Sequence, residues 1–244
     1  MNYAFFNRPA DIVARALLGN NIVRKIDNQE KKAVIVETEA YFDETDPASR
    51  ACFNGDLRKT MLMKAGTILV YGVHNNWLVN IVTDKEGIAS AVLIRAVEPL
   101  NFNERGNGPG LLTRALSIGK EFHKKNIFDN GELWIEFNEK NKIFEDNKTK
   151  KYELKNQIYD DKKSRRPLSH STRELLITNK NTNTGISFKN NREILVTKIS
   201  DSKIQEISDK NNFKIEKSFR IGVKKDLPQQ LRFYIKGNEW VSGR

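Results

Sequence analysis

The sequence holds one cysteine, Cys52, and three histidines, His74, His123 and His170. A single cysteine excludes an internal disulfide and any cysteine-built zinc cage, and three scattered histidines give a structural metal site little to work with. No apolar run approaches the ~18 residues that a membrane span needs. The first residues, MNYAFFNRPADIVARALLG, place Arg8, Asp11 and Arg15 where a secretory signal would be apolar, so they read as part of the fold. There is no Walker A loop, no GxGxxG turn, no Gly-x-Ser-x-Gly elbow and no internal repeat. Those absences remove support for a nucleotide cofactor and for serine-hydrolase chemistry.

What the chain does have is positive charge. Forty-two Lys plus Arg stand against thirty-one Asp plus Glu, a net charge of +11 with a pI near 9.6. That excess points to a polyanionic partner, with nucleic acid first and an acidic membrane surface second. The hydrophobic share of 38% and mean hydropathy of −0.61 describe a polar chain that still buries a core. The charge is unevenly spread. Residues 138–216 contain 14 Lys and 11 Asn, one Gly and one Pro, and carry +6 of the +11. Such enrichment marks an insertion or surface segment, although Glu174-Leu175-Leu176-Ile177-Thr178 and Glu193-Ile194-Leu195-Val196-Thr197 within it read as strands.

Elsewhere the pattern is legible. Arg8-Pro9, the apolar spacing of Ile12, Val13, Ala16 and Leu17, and Gly19 predict a short helix. Strands are expected at 21–26 and 33–41 across a polar turn, at 67–71 and 77–83 across a tip at 72–76, and at 91–97, 133–137 and 231–235. A loop is expected at 43–59 and a helix at 111–118. Strands come in runs rather than alternating with helices, which favours an α+β class with a largely antiparallel sheet.

Three places invite chemistry. Period-2 alternation in Ala33-Val34-Ile35-Val36-Glu37-Thr38-Glu39-Ala40-Tyr41 puts Ile35, Glu37, Glu39 and Tyr41 on one face, the two carboxylates about 6–7 Å apart. Either this is a solvated face, or one carboxylate acts as a base beside an aromatic platform. Two acids on one strand face cannot flank a sugar from opposite sides, which disfavours the usual two-carboxylate glycosidase scheme. Arg95 stands alone in an apolar strand and needs an anion, for which Glu37 or Glu39 would serve. Asn80 is a lone amide in another apolar strand, and Asn107-Gly108-Pro109-Gly110 before a helix is either a plain turn or a phosphate cradle.

In order along the chain, several segments resemble the alkyladenine (3-methyladenine) DNA glycosylase family of base-excision repair. They are Arg8-Pro9, Ile35-Val36-Glu37-Thr38-Glu39-Ala40-Tyr41, Met63-Lys64-Ala65-Gly66-Thr67, Val79-Asn80-Ile81, Val92 through Leu100, Asn107-Gly108-Pro109-Gly110, Arg220-Ile221-Gly222, Leu231-Arg232-Phe233-Tyr234-Ile235 and Trp240-Val241-Ser242. The resemblance implies a single α+β domain over residues 1–244, its curved, mostly antiparallel sheet flanked by short helices, interrupted by the insertion at about 138–216. It implies an intracellular enzyme, in the cytoplasm of a prokaryote or the nucleus of a eukaryote. Such an enzyme acts as a monomer on double-stranded DNA and cleaves the N-glycosidic bond of a flipped alkylated or deaminated purine, without metal or cofactor. By the same resemblance Glu39 is the general base, and Arg95 orients the attacking water and holds Glu39 ionised. Tyr41 and Tyr71 sandwich the base, Asn80 and Leu93 line the pocket, and a carbonyl near Ile221 is a third contact of the water. No lysine falls at a matched catalytic position, so no Schiff-base lyase step is expected.

The chain also departs from the family. Arg50 stands where the family usually has a histidine, and either faces the base or is turned outward by Asp43, Glu44 or Asp46. The hairpin that wedges the duplex usually presents a tyrosine, whereas Val73 or His74 fills that place here. Competing readings are a non-catalytic nucleic-acid binder on the same fold, against which Glu39 and Arg95 together argue, and a formyltransferase-type C-terminal binding module, which would need no Glu39-Ala40-Tyr41 site.

Overall fold

The computed structural model describes residues 3–138 and 213–243. The Lys/Asn-rich stretch, with the strands expected at 174–178 and 193–197, lies outside the described residues except at its two ends. The chain begins with a short helix α1 (Tyr3–Phe6), which the sequence pattern did not reveal, and α2 (Ala10–Leu17) behind Pro9. Gly19, at φ 78°, takes the left-handed conformation that ends α2, and its N–H reaches the carbonyl of Ile35 at 2.9 Å.

Eight strands follow among the described residues, every pairing antiparallel. β1 (Asn21–Ile26) turns into β2 (Gln29–Tyr41) through Asp27 and Asn28, both at positive φ, as a two-residue hairpin requires. β2 is the spine. One edge pairs with β5 (Ala91–Pro99) over most of its length. The other edge serves β1 first and then β8 (Arg232–Ile235), whose partner is β7 (Ile215–Ser218). The change of partner coincides with a bulge around Val36 and Glu37, which bends the strand and curls the sheet into a half-barrel. β3 (Ile68–Val73) and β4 (Asn76–Val82) extend the sheet beyond β5, and β6 (Leu133–Glu136) closes the far edge on β1. The α+β expectation and the antiparallel sheet therefore hold. β7 was not foreseen, and it returns the chain to the sheet at Ile215.

The main core joins α2, including Val13, Ala14 and Leu17, to apolar residues of β2 and β5. Thr38, pointing into this layer, donates to the carbonyl of Ala14 at 2.9 Å. A second, smaller core of Ala51, Met61, Leu69, Val82, Ala89 and Ala91 lies under Tyr41 and Tyr71. It exists because residues 43–59 are not a plain loop. They hold a single 3₁₀ turn (Arg50–Cys52) and the start of α3 (Asp56–Met61), which delivers Met61 to this core. Burying a side chain of that size stabilises by about 1.5–3 kcal/mol. α4 (Pro109–Ala115) starts two residues earlier than its apolar spacing suggested, because Pro109 occupies the first turn. Its Gly110 abuts the hairpin so closely that a Cβ there would lie 2.7 Å from the Asn76 side chain.

Candidate active site

The bulged end of β2 carries the two carboxylates. Glu37 and Glu39 are both fully buried, so the reading of a solvated face is wrong, and each acid is satisfied in a different way. Around Glu37 four donors converge. Oε1 accepts from Arg95 Nε at 2.9 Å, Arg232 Nε at 2.6 Å and Ser242 Oγ at 2.9 Å, while Oε2 accepts from the Ser242 N–H at 2.6 Å. Glu37 is thus the anchor that binds β5, β8 and the C-terminal residues together. Arg232 and Ser242 belong to segments of the family resemblance, yet sequence reasoning gave them no role. The only available signal was a charged residue inside the apolar strand at 231–235.

Glu39 meets fewer charged donors. Oε1 accepts from the Ile221 N–H at 2.8 Å, Oε2 from the Tyr41 hydroxyl at 2.7 Å, and Arg95 Nη1 stands 3.3 Å from Oε1. Arg95 Nη1 also lies 3.5 Å from the Ile221 carbonyl oxygen, and its Nη2 donates to Ser242 Oγ at 3.3 Å. One guanidinium therefore reaches both acids, which resolves the choice between Glu37 and Glu39. Burial pushes the Glu39 carboxyl above its ordinary range, with Glu37 adding to the rise. Arg95, the Ile221 N–H and the Tyr41 hydroxyl pull the other way and do not overcome it. Arg95 acts on Glu39 in the expected direction, favouring its ionised form, while burial opposes it. Desolvation is the largest influence on this carboxyl, and the Arg95 charge is the largest one opposing it.

Beside these groups opens a cleft of about 1030 Å³, lined by residues that include Tyr41, Tyr71, Leu93, Arg95, Pro109 and Ile221. Glu39 itself lies just beneath the floor, covered by the three residues that contact it. Tyr41 is held from behind by the Arg220 guanidinium, 4.6 Å from the ring centroid. Its hydroxyl is pushed well above the usual range by burial and by Glu39, so it remains a donor. Burial also raises Tyr71, against the opposing influence of Arg50 and Asn80.

Asn80 is not on the cleft wall. It is buried between β3 and β5 and donates to the Leu69 carbonyl at 3.2 Å. In an apolar sheet its amide must find a partner within the ladder, which draws it inward. Arg50 is in the cleft, 4.8 Å from the Tyr71 ring centroid. The acidic neighbours that would turn it outward are otherwise engaged. Asp43 accepts from Thr45, Glu44 pairs with Arg58 at 3.4 Å, and Asp46 pairs with Arg220 at 2.7 Å.

Val73 and His74 both line the cleft mouth. The hairpin tip is tighter than expected, a two-residue turn of His74 and Asn75 at φ 47° and 59° that leaves Gly72 and Val73 inside β3. Lys224, Lys225, Arg114 and Arg50 give the rim its positive charge. The Gly108 loop forms part of this rim. Among the described residues no group of His, Cys, Asp and Glu is arranged to hold a metal ion, and no helix is long and apolar enough to cross a membrane.

The family model described as methylpurine-DNA glycosylase matches residues 4–156. A relative from Aeropyrum pernix is 40% identical over 138 residues, which cover 54% of this chain and 71% of that protein. One from Borreliella burgdorferi is 38% identical over 147 residues, covering 56% and 77%, and one from Listeria monocytogenes is 37% identical over 150, covering 54% and 72%. All three carry the name "Putative 3-methyladenine DNA glycosylase".

Proposed function

The chain belongs to the methylpurine-DNA glycosylase family, and from that premise we propose that it excises alkylated and deaminated purines from double-stranded DNA by attack of a Glu39-activated water. The glycosidic bond of a stacked base is out of reach, so the damaged nucleotide rotates out of the duplex and enters the cleft. There the base stacks between Tyr41 and Tyr71, and Leu93 crowds the edge where guanine bears its exocyclic amine. Lys224, Lys225 and Arg114 meet the phosphates on either side.

The observation that carries this reading is the convergence of Glu39 Oε1, Arg95 Nη1 and the Ile221 backbone at one point of the cleft floor. A water at that point donates to Glu39 and to the Ile221 carbonyl and accepts from Arg95. Its oxygen attacks C1′ of the sugar, the bond to the base nitrogen breaks with its electron pair leaving on the base, and the proton passes to Glu39. The carboxylate also stabilises the cationic sugar that develops. Its raised proton affinity suits it to the first task, and its negative charge to the second.

The test is single-turnover release of bases from alkylated duplex DNA. Glu39→Gln keeps the shape and removes the charge, and is expected to lower the rate by about 10²–10⁴-fold or more while binding persists. A Glu39→Gln protein turning over at the wild-type rate would refute the assignment.

A further inference from the structure

Arg50 owes its place to the loop that carries it. Asp46 is fixed by the Phe42 and Ala48 N–H groups and by Arg220, and Ser49 caps the turn by accepting from the Ala51 N–H at 3.1 Å. The turn that follows delivers the guanidinium to the face of Tyr71 inside the cleft. Each carboxylate of the loop is committed elsewhere, so an aromatic face, not an acid, holds this charge. A cation resting on a ring exchanges readily for a better partner.

Building on the base-flipping reading, we infer that Arg50 selects among flipped purines, favouring neutral bases that present two adjacent acceptors and disfavouring bases that carry positive charge. A flipped base and the Arg50 guanidinium use the same ring of Tyr71, so they meet at contact distance. Guanidinium is donor-only, stays charged, and its planar fork matches O6 and N7 of a 6-oxopurine. Hypoxanthine is neutral and offers both atoms. The 7-methylguanine nucleotide is a cation whose methyl group covers N7, so it repels Arg50 and denies the fork its second acceptor. The 3-methyladenine nucleotide is also cationic and presents an amino donor where hypoxanthine has O6. At contact distance in a partly dry cleft, like-charge repulsion is large compared with thermal energy.

The experiment compares single-turnover release of hypoxanthine and of 7-methylguanine from otherwise identical duplexes by wild type, Arg50→Met and Arg50→Lys, each checked for folding by thermal melting. In Arg50→Met the ratio of hypoxanthine to 7-methylguanine rates is expected to fall about tenfold or more. Arg50→Lys keeps the charge and loses the fork. It is expected to lose hypoxanthine rate without gaining 7-methylguanine rate, and it carries the comparison alone should Arg50→Met melt below the assay temperature. A ratio unchanged in the folded variants overturns the inference and leaves the glycosylase reading in place. A wild-type protein that releases neither base overturns that reading itself.

Discussion

Arg220 forks onto Asp46, Nη1 to Oδ2 and Nη2 to Oδ1, each at 2.7 Å, with both side chains fully buried. The pair ties the loop after β2, which presents Arg50, to the loop after β7, which presents Ile221. Arg220 also donates to the Ala40 carbonyl at 2.9 Å and to Asp226, and it backs the Tyr41 ring. Two loops that line the cleft are therefore joined by one bidentate ion pair, a geometry that fixes orientation as well as distance.

Removing one partner of such a pair leaves a buried charge uncompensated. Arg220→Ala is expected to cost about 3–5 kcal/mol in urea unfolding. In whatever fraction stays folded, excision should fall, because the Ile221 N–H and carbonyl lose their fixed place. A loss below about 1 kcal/mol would mean that water reaches and solvates Asp46.

The two glutamates should separate by phenotype. Glu37→Gln puts an amide N–H against donors from Arg95, Arg232 and Ser242, and is expected to destabilise by at least about 3 kcal/mol. Glu39→Gln should melt near or above wild type while losing activity. Equal melting temperatures for the two variants would contradict the division of anchor from base.

Burial raises Glu39 in the folded state, so its contribution to stability is fully present below the unfolded glutamate value and is lost as pH rises through the folded one. The stability of Glu39→Gln relative to wild type is thus expected to grow as pH rises above about 4, the ordinary glutamate value. Excision follows the ionised form and should decline as pH falls through a limb lying above the ordinary glutamate range. An acid limb at the ordinary value would show that Glu39 is solvated when DNA is bound.

At the hairpin tip, Val73 ends β3 and His74 sits at positive φ, so the side chain is better enlarged at 73. Flipping a base costs a few kcal/mol of stacking that a larger plug offsets. Val73→Tyr should tighten binding to lesion-bearing duplex about threefold or more, titrated at fixed salt. No gain at this position would argue that the wedge is elsewhere.

Residues 138–216 carry +6 of the net charge, and we propose that they interrupt a single glycosylase domain and add phosphate contacts instead of chemistry. Replacing residues 141–212 by a short linker should flatten the log–log salt dependence of binding by about 0.9 per lost contact. Single-turnover excision should persist. Loss of the chemical step in a soluble, folded deletion would place part of the active site there.

The sequence by itself determined the strands, because alternation and β-branched content at 21–26, 33–41, 77–83 and 91–97 leave little choice of element. It also determined that Glu37, Glu39 and Tyr41 share a face and that Arg95 must find an acid, since a charge in an apolar strand has no other outlet. Only the tertiary structure decided that Glu37 is the anchor and that Glu39 is left to the Ile221 backbone and the Tyr41 hydroxyl beneath the cleft. That division depends on Arg232, Ser242 and Ile221, some two hundred residues further along the chain. The helix at Asp56–Met61 escaped notice because its six residues are too few to show a helical period, and it stands through Met61 packing under the cleft. Asn80, which the resemblance put in the pocket, is the buried core amide that its apolar strand suggested, and Arg50, left open between base and solvent, lies in the cleft. A buried amide goes where the sheet offers it a carbonyl, and an arginine whose neighbouring acids are already paired turns to the nearest aromatic face.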